Sequence, residues 1–462
     1  MKLTTINPAT EQPLKSYSQM EKDEVDKKVL QAKSAFLQWQ TDIEKRKALI
    51  YSLAQYLRKN KTQLAKVITD EMGKVLKESI SEVDKCALAL EFYADYGSSF
   101  VSEEVLNTDA RKSFIRFEPL GVVASIMPWN FPYWQALRFA APCLMAGNTI
   151  VMKPSSVTPQ CGLEMEKAFQ ECGFPDGVLS VVIGGSDVAN NLIDSDVNAV
   201  TFTGSTKIGA MVGQRAASQL KKCVLELGGS DPFIVLDDAN IEKAANGAVK
   251  GRFINCGQSC IASKRFLVSK KIAGQFVEQF VRNASRLSIG DPTIIETDIG
   301  PLASKDALEN IAAIVDDAKK KGANVLLGGE RVGDKGYFYK PTILSNIAID
   351  MRIAREETFG PVAPITVFED EAEAIKIANN SEFGLGASIW TENLNKAEAL
   401  SRKIESGIVT VNNVVISDPR IPFGGIKHSG YGRELSRYGM LEFVNIKSVR
   451  FYDQLIHHHY VE

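Results

Sequence analysis

The sequence predicts a protein of the α/β class, in which two parallel-sheet units follow one another along the chain. Short β-rich runs alternate with helical stretches from about residue 115 onward. Most of these runs end in Gly, Pro or Ser before the helical pattern begins, and the alternation occurs twice, with a change near residues 228–232. Strand, tight turn, helix and strand in this order indicate a mainly parallel sheet covered by helices.

The first hundred residues are predicted to be mainly helical. Apolar residues recur there at helical spacing and charged residues fill the positions between them, which is typical of amphipathic surface helices. The recurring apolar positions are Val25, Val29, Ala32, Phe36, Leu53, Tyr56, Leu57 and Leu64. We interpret these helices as scaffold that carries no chemistry.

The predicted strands form two series. The first series comprises 121–126, 149–152, 179–183, 199–202 and 223–225. The second comprises 233–236, 265–268, 324–327, 343–344, 364–368 and 407–411. Ligands of parallel sheets bind outside the carboxyl ends of the strands, so we expect functional residues in the turns that follow them.

Two segments fit neither series. They are residues 101–120 and the tail after about residue 440, in which 443–452 has the pattern of a strand. Such segments often form an arm that pairs between subunits, and we interpret them in this way.

Composition excludes several classes of protein. The 462 residues contain 54 Lys and Arg against 56 Asp and Glu, without the basic cluster that a nucleic-acid partner needs. The start of the chain lacks the apolar core of a secretory signal, and the longest apolar stretch, 137–152, is too short and too interrupted to span a membrane. Seven cysteines, an odd number, do not indicate a disulfide framework. We therefore expect a cytoplasmic protein.

Cys260 is the candidate nucleophile. It follows a turn at Gly257 and lies among small and polar residues, where an exposed thiolate can attack a carbonyl carbon. The alternative is a cysteine buried in tight helix packing. Cys256 precedes it by four residues, a spacing of neither a zinc ribbon nor a redox pair, so we predict no metal. If the segment is helical, Cys256 lies one turn away and an oxidant would join the two cysteines reversibly.

Glu226 is the candidate general base. A cysteine hydrolase needs a histidine, but the chain has four, of which three are His457–His459 near its end. Glu226 instead leads from a β-run into Gly228-Gly229, where strand ends line a cleft and a carboxylate can accept a proton. The alternative is a carboxylate that caps a helix or lies on the surface.

Two further segments have the residue types of a binding site. Residues 202–209 follow a predicted strand and open a helix, and free N–H groups at a helix start suit a pyrophosphate. Asn130 lies between Pro128 and Pro132 in a rigid loop, where its carboxamide can stabilise an oxyanion. An Asn that bonds only loop backbone is the alternative.

In combination, these segments resemble the aldehyde dehydrogenase superfamily of non-phosphorylating, NAD(P)-dependent enzymes. The resemblance covers essentially the whole chain. The segments that carry it are 128–132, 153–154, 202–209, 226–229, 257–260, 356–361 and 422–425.

The resemblance implies the catalytic roles. Cys260 would attack the aldehyde carbon, and the Asn130 carboxamide with the Cys260 N–H would hold the oxyanion. Hydride transfer to the nicotinamide would leave a thioester, and Glu226 would activate the water that hydrolyses it. Relatives that release the acyl group to CoA typically lack this carboxylate, so Glu226 favours hydrolysis. A catalytically silent binding protein of the same fold is a further alternative.

The cofactor residues also follow from the resemblance. Lys153 would contact the adenosine ribose, Gly204 and Ser205 the pyrophosphate, and Glu357 the nicotinamide ribose. Trp129 and Phe359 would border the cofactor, with Phe359 against the nicotinamide. NAD-preferring members often carry Glu where this chain has Ser156. A hydroxyl tolerates a 2′-phosphate that a carboxylate repels, so we predict a preference for NADP, with NAD possible.

The substrate prediction rests on Arg138, eight residues after Asn130 on a predicted helix. Family members that oxidise succinate semialdehyde hold its distal carboxylate with Arg at this place, and a planar guanidinium suits a carboxylate. A salt bridge to an acid such as Glu118 is the alternative. Some of these enzymes have a second Arg where this chain has Ile254, and Arg420 is the predicted substitute. We predict succinate semialdehyde first, with glyceraldehyde or lactaldehyde second.

The resemblance further implies three structural parts. Residues 1–100 and 120–228 would form a Rossmann-like cofactor-binding domain, and residues 229–439 an α/β catalytic domain. Residues 101–119 and 440–462 would form a β oligomerisation arm. Members of the family assemble as dimers or as tetramers built from dimers, so we expect a homodimer or homotetramer.

Overall fold

The computed structural model describes residues 2–453 of the chain. The helices are α1 (Lys22–Trp39), α2 (Ile43–Met72), α3 (Leu76–Phe100), α4 (Pro132–Met145), α5 (Pro159–Glu171), α6 (Ser186–Asp194), α7 (Thr206–Ala217), α8 (Ile241–Phe253), α9 (Ala273–Ala284), α10 (Lys305–Lys320), α11 (Arg352–Arg355), α12 (Glu371–Asn379), α13 (Leu394–Ser401) and α14 (Ser436–Leu441). Within residues 2–453, no helix is long and apolar enough to cross a membrane.

The strands begin with the two that form a hairpin before the first helix. They are β1 (Lys2–Ile6), β2 (Pro13–Ser18), β3 (Glu104–Leu106), β4 (Lys112–Pro119), β5 (Val122–Ile126), β6 (Thr149–Lys153), β7 (Leu179–Val181), β8 (Ala199–Thr203), β9 (Lys222–Glu226), β10 (Asp231–Val235), β11 (Ser263–Ser269), β12 (Asn324–Leu327), β13 (Thr342–Ser345), β14 (Val362–Phe368), β15 (Phe383–Gly384), β16 (Gly386–Trp390), β17 (Ile408–Val411), β18 (Ile426–Lys427), β19 (Gly430–Tyr431) and β20 (Val444–Phe451).

The helical prediction for the first hundred residues is confirmed from Lys22 to Phe100. Asp42 begins α2 by accepting a hydrogen bond from the Lys45 N–H at 2.9 Å, and Gly73 ends it in the left-handed conformation. The apolar faces of α2 and α3 pack together and against α4, in a core that continues to the first sheet. The hairpin of β1 and β2 was not predicted, because its short and mostly exposed strands show little hydrophobic pattern.

The first sheet has six strands in the order β19-β9-β8-β5-β6-β7. Its five strands from β5 to β9 match the first predicted series and are parallel. The carboxyl ends of β6, β8 and β9 therefore lie at one edge and bring Lys153, Thr203 and Glu226 to it. The short strand β19, which was not predicted, pairs with the end of β9 and places Gly430 opposite Glu226.

The second sheet has seven strands in the order β12-β13-β14-β11-β10-β16-β17. The second predicted series is present, but the sequence analysis omitted β16, which lies between β10 and β17. Its sequence, Gly-Ala-Ser-Ile-Trp, opens with small residues and has only two large apolar side chains. A strand buried on both faces by its neighbours does not need the β-branched run on which a sequence prediction depends.

Strands β15 and β18 form a two-stranded antiparallel sheet, and β20, β4 and β3 form a three-stranded antiparallel sheet in the order β20-β4-β3. The predicted tail strand is confirmed as β20, which pairs with the whole of β4 from Val444↔Pro119 to Phe451↔Lys112. This sheet leaves large apolar side chains exposed, among them Val105, Ile446 and Phe451. Residues 454–462 of the predicted arm, with the triplet His457–His459, lie outside the described residues.

A buried ion pair fixes the start of α4. Glu82 on α3 accepts hydrogen bonds from the backbone N–H groups of Tyr133 at 2.9 Å and Trp134 at 3.0 Å. Its other carboxylate oxygen pairs with Lys74, and both side chains are at most 1% exposed. The Lys74 ammonium also lies 3.6 Å from the centroid of the Phe131 ring. These contacts hold the loop that carries Asn130 against α3.

Replacing Glu82 by Ala is expected to reduce the free energy of unfolding by about 3–5 kcal/mol, because it leaves the Lys74 charge buried without a partner. It also removes the acceptor of two N–H groups at the start of α4. Thermal unfolding followed by circular dichroism measures the effect.

Glu91→Ala is the matched control on the same helix. Glu91 pairs with Arg58 near the surface, and an exposed pair contributes about 0–1 kcal/mol. Equal shifts of the unfolding midpoint in the two variants would contradict the structural role assigned to Glu82.

Candidate active site

A cavity of about 350 Å³ lies between α3, α4, the end of α8 and the loop that follows β17. Cys260 lines it, so the predicted nucleophile faces a partly open cavity that can hold a small molecule. The walls are largely apolar and aromatic, with Phe131, Trp134 and Phe423 among them. Cavities of this kind with a few polar groups are typical of small-molecule sites.

The segment before Cys260 is a strained turn. Helix α8 ends at Phe253, and Asn255 and Cys256 have positive φ angles of 51° and 54°. Gly257 follows with a φ of 74°, and a Cβ there would lie 2.2 Å from the Gly360 carbonyl oxygen. The glycine is therefore required both by its conformation and by the close approach of a second loop.

This turn corrects the expectation for Cys256. The helical turn on which a disulfide with Cys260 was based is absent, because the backbone reverses its hand at residues 255 and 256. Cys256 is buried in the core of the second sheet, and burial raises the pKa of its thiol. Cys260 packs instead at the border of the first core. The structure therefore does not support the predicted redox pair.

The buried side chain of Arg252 joins the nucleophile turn to its surroundings. Its guanidinium donates hydrogen bonds to the carbonyl oxygens of Ser263 at 3.0 Å and Gly257 at 2.8 Å. It also bonds those of Thr358 at 3.2 Å and Gly360 at 2.7 Å. Burial lowers the pKa of Arg252 to about 10, so it keeps its charge at neutral pH. One side chain thus connects the turn before Cys260 to the loop that carries Phe359.

The thiol of Cys260 is protonated in the free protein at neutral pH. Burial raises its pKa to about 11, and the positive charges of Arg138 and Lys264 partly oppose this effect. The Lys264 ammonium also donates a hydrogen bond to the Cys260 carbonyl oxygen at 2.7 Å. Attack on a carbonyl carbon therefore requires transfer of the thiol proton, and the two cations stabilise the resulting thiolate.

Asn130 lies against the nucleophile segment. Its side-chain amide donates a hydrogen bond to the Gln258 carbonyl oxygen at 3.1 Å, and its own backbone oxygen accepts one from the Asn255 side chain at 2.8 Å. The residue is 4% exposed. One of the two amide hydrogens is used by this bond, which leaves the second for a developing oxyanion.

Glu226 ends β9 and is fully buried. Burial and the neighbouring Glu434 raise the pKa of its carboxyl group well above the usual range, against the effect of Arg138 and Arg433. Among the described residues neither carboxyl oxygen has a hydrogen-bond partner, and a Cβ at Gly424 would lie 2.6 Å from Oε1. The carboxyl group lies in this buried charged cluster and does not line the cavity at Cys260.

Arg138 lines the cavity from α4. Its guanidinium pairs with Glu434, both side chains being at most 2% exposed, and lies 4.3 Å from the centroid of the Phe423 ring. The alternative partner Glu118 is wrong, because Glu118 pairs with Lys447 in the three-stranded sheet. Arg138 therefore both lines the cavity and forms an ion pair, as the two alternatives expected, but its acidic partner is Glu434.

Arg420 does not reach the cavity. Its guanidinium bonds both carboxylate oxygens of Asp418, at 2.9 Å and 2.5 Å, and 74% of its side chain is exposed. The expectation that Arg420 replaces a missing substrate contact at Ile254 is not supported by this position. Sequence distance from residues 422–425 placed Arg420 near the site, but a local ion pair orients it outward.

Lys153 is a buried cation at the carboxyl end of β6. Burial lowers its pKa to about 8, and within residues 2–453 no carboxylate lies at ion-pair distance from it. Ser156 is exposed in the loop that follows. A buried amine without a counterion fits a ligand that brings hydroxyl or phosphate groups, which is what the cofactor prediction requires.

The start of α7 offers backbone donors at the same edge. Ser205 precedes the helix and does not cap it with its side chain, and Gly204 bonds the Glu226 carbonyl oxygen at 3.0 Å. Gly209 packs so closely on Leu227 that a Cβ would lie 2.2 Å from it. The helix therefore sits directly on the strand end, with its first N–H groups facing outward.

Glu357 lies between the two sheets. Its carboxylate accepts a hydrogen bond from the Gly229 N–H at 3.1 Å and pairs with Lys264 at 3.0 Å. The rings of Trp129 and Phe359 meet edge to face, with centroids 5.7 Å apart. The structure thus brings these predicted cofactor residues to the neighbourhood of Cys260 from two separate segments.

Four residues around the site were missed by the sequence analysis: Lys85, Arg252, Lys264 and Glu434. Lys264 carries a detectable signal, since it is a charged residue inside the apolar strand β11. Arg252 and Glu434 are ordinary charged residues in sequence, and only their burial distinguishes them. Lys85 lies in the helical region that we interpreted as scaffold.

Residues 1–449 match the model of the aldehyde dehydrogenase family. A probable succinate-semialdehyde dehydrogenase [NADP(+)] of Synechocystis is 45% identical over 97% of this chain and 99% of that protein. Succinate-semialdehyde dehydrogenase [NADP(+)] 1 of Mycobacterium bovis is 42% identical, with the same coverage of both chains. The structure of a Streptococcus pyogenes succinic semialdehyde dehydrogenase in complex with NADP+ superposes with a TM-score of 0.95, at 35% identity over 98% of this chain and 100% of that one.

Arg252→Met is expected to lower the free energy of unfolding by at least about 2 kcal/mol, because buried carbonyl groups that lose a donor cost about 1–3 kcal/mol each. We also expect loss of activity, since the turn before Cys260 and the loop at Phe359 lose their common anchor. Thermal unfolding and initial rates measure the two effects.

The exposed Arg402, which pairs with Glu398 on α13, provides the control. Arg402→Met removes the same charge at the surface and should change stability by no more than about 0.5 kcal/mol. Arg252→Met with the stability of the wild type would contradict the anchoring role.

Proposed function

The chain belongs to the aldehyde dehydrogenase family, and we propose that it oxidises succinate semialdehyde to succinate with NADP. The observation that carries the substrate class is the cavity at Cys260, whose apolar walls contain the cationic side chains of Arg138 and Lys85. A short aldehyde with a distal carboxylate matches this combination. The names of the relatives from Synechocystis and Mycobacterium bovis support the same substrate and cofactor.

The residues of this chain have the following roles in the proposal. Cys260 releases its thiol proton to water and attacks the aldehyde carbon as the thiolate, which gives a thiohemiacetal oxyanion held by the second amide hydrogen of Asn130. The bound nicotinamide supplies the hydride acceptor. Loss of hydride from the thiohemiacetal carbon leaves a thioester on Cys260. Glu226, once ionised, takes a proton from the water that hydrolyses this thioester and releases the acid.

Ionisation of Glu226 depends on its charged neighbours. Burial and Glu434 oppose it, whereas Arg138 and Arg433 favour it. Because Arg138 lines the cavity and its charge also acts on this carboxyl group, an anion bound in the cavity would affect the ionisation of Glu226. Glu226 also favours hydrolysis of the thioester over transfer to CoA, and an intact set of Cys260, Asn130 and Glu226 favours an enzyme over a silent binding protein.

The cofactor residues are proposed as follows. Lys153 contacts the adenosine ribose and its 2′-phosphate, and Ser156 leaves room for that phosphate. Gly204 and Ser205 bind the pyrophosphate at the start of α7, and Glu357 accepts hydrogen bonds from the nicotinamide ribose. Trp129 and Phe359 border the nicotinamide. The support is the buried Lys153 without a counterion, together with the NADP+ complex of the Streptococcus pyogenes relative.

We also propose a homo-oligomer, either a homodimer or a homotetramer built from two dimers, assembled through residues 101–119 and 440–462. The exposed apolar side chains of the three-stranded sheet support this proposal, since a lone chain would expose them to water. We further propose a cofactor-binding domain, 1–100 and 120–228, and a catalytic domain, 229–439. The two larger sheets support this division, although β19 lies within 229–439 and joins the first sheet. A cytoplasmic location is consistent with seven cysteines that are all free thiols.

An aldehyde panel with NADP tests the function. We expect kcat/KM for succinate semialdehyde to exceed that for butyraldehyde at least tenfold, because only the former brings a carboxylate to the cationic cavity. Glyceraldehyde and lactaldehyde should be intermediate or poor. A higher kcat/KM for either hydroxyaldehyde would contradict succinate semialdehyde as the substrate. The absence of NADP reduction with every aldehyde in the panel would contradict the proposed enzymatic activity.

Ser156→Glu tests the cofactor preference. The new carboxylate should repel the 2′-phosphate, so we expect the ratio of kcat/KM for NADP to that for NAD to fall at least tenfold. Ser218→Glu places the same charge at the exposed end of α7 and should leave this ratio within twofold of the wild type. A wild-type preference for NAD would overturn the NADP assignment.

A further inference from the structure

We propose that Lys85 determines substrate specificity by binding the distal carboxylate of the aldehyde with its ammonium group. The inference rests on the proposed function and deepens it, since it names the residue that recognises the charged end of the substrate. Lys85 comes from α3, a helix that contributes none of the catalytic residues.

The position of Lys85 fits this role. Its side chain lines the cavity that also contains Cys260. The ammonium donates a hydrogen bond to the Ser417 hydroxyl at 2.6 Å and lies 4.3 Å from the centroid of the Trp134 ring. Ser417 and Trp134 line the same cavity. An ammonium has three hydrogens, so the bond to Ser417 leaves donors for a ligand.

Lys85 lacks a carboxylate partner. Within residues 2–453 no acidic side chain lies at ion-pair distance from its ammonium. The acids around it are engaged elsewhere: Glu82 pairs with Lys74, and Asp418 is bound by both arms of Arg420. Glu78, which also lines the cavity, accepts a hydrogen bond from the Asn255 N–H at 2.9 Å.

Two other cations line the cavity, Arg138 and the exposed Lys250. Arg138 forms a buried ion pair with Glu434, which balances its charge, and its field also acts on Glu226. Lys250 is exposed, so water screens its charge. Lys85 is therefore the cation of the cavity that is neither exposed nor paired with a carboxylate, and we assign to it the role of the second arginine that the chain lacks at Ile254.

Burial makes an anionic ligand favourable here. Burial and the nearby Arg138 lower the pKa of Lys85 to about 8, which means that its charge is poorly compensated in the free protein. A carboxylate bound beside the ammonium would offset that cost, and such charge-assisted hydrogen bonds are stronger than neutral ones. The aromatic ring of Trp134 further limits access of water to this end of the cavity.

Arg420 gains a role from the same geometry. Its bidentate bonds balance the charge of Asp418, the acid that follows Ser417 in sequence. The contribution of Arg420 to substrate binding would thus be indirect, since it pairs with an acid whose charge also acts on Lys85.

The test compares Lys85→Met with Lys250→Met. Lys250 also borders the cavity but is exposed, so its replacement removes the same charge without the proposed contact. For each variant, kcat/KM is measured with succinate semialdehyde and with butyraldehyde. We expect the ratio of the two to fall at least tenfold in Lys85→Met, through KM rather than kcat, and to stay within twofold in Lys250→Met.

Two variants separate recognition from a structural role. A lysine that only fastens the loop at Ser417 to α3 would lower both kcat/KM values equally, and this result would overturn the inference. Lys85→Arg keeps the charge and should retain most of the preference, and Lys85→Gln replaces Lys85→Met should the latter fail to fold. An unchanged ratio in either neutral variant would also overturn it.

The outcome for the wild type keeps the two proposals distinguishable. A wild-type enzyme that does not prefer succinate semialdehyde to butyraldehyde refutes the proposed function. If the wild type prefers succinate semialdehyde and Lys85→Met keeps the same preference, only the inference about Lys85 is refuted. Inhibition by succinate provides a readout independent of turnover: its inhibition constant should rise at least tenfold in Lys85→Met, and a constant equal to that of the wild type would count against the contact.

Discussion

The buried guanidinium of Arg252 is the interaction on which the geometry of the site depends. The turn before Cys260 has two non-glycine residues in the left-handed conformation, which is unfavourable for an isolated chain. Arg252 compensates by bonding the carbonyl groups of that turn and of the loop with Phe359 at the same time. The nucleophile and the residues proposed to border the nicotinamide are therefore held by one side chain, far closer than their separation in sequence would suggest.

Most of the buried charges near the cavity are likewise paired with a partner from another segment. Three ion pairs lie near the cavity, Lys74 with Glu82, Arg138 with Glu434, and Lys264 with Glu357, and only Glu357 is partly exposed. Each pair neutralises a charge that burial alone would make costly. Lys153, which is buried, and Lys85, which is part-buried, have no carboxylate partner in residues 2–453, and unlike Arg252 neither bonds backbone carbonyl groups. Exceptions of this kind mark the places where a ligand is expected to bring the missing charge.

Burial acts in the same direction on the two titratable groups of the proposed reaction. It raises the pKa of Cys260 to about 11 and that of Glu226 well above its usual range, and the same cation, Arg138, opposes both effects. A ligand that changes the charge around Arg138 would therefore act on both groups. In the proposed reaction a carboxyl group takes the role of proton acceptor, so no catalytic histidine is needed.

The class of the fold and most of its strands could be predicted from the sequence, which also proposed Cys260, Asn130 and Glu226 as the reactive set. These predictions rest on local features, since hydrophobic periodicity and turn residues act over a few positions and the family motifs are contiguous. Which charges meet depends on the tertiary structure. Arg138 pairs with Glu434 rather than Glu118, and Lys85 reaches the cavity from a helix that we interpreted as scaffold. Glu434 lies in a segment far from Arg138 in the chain, and no local sequence pattern encodes that contact.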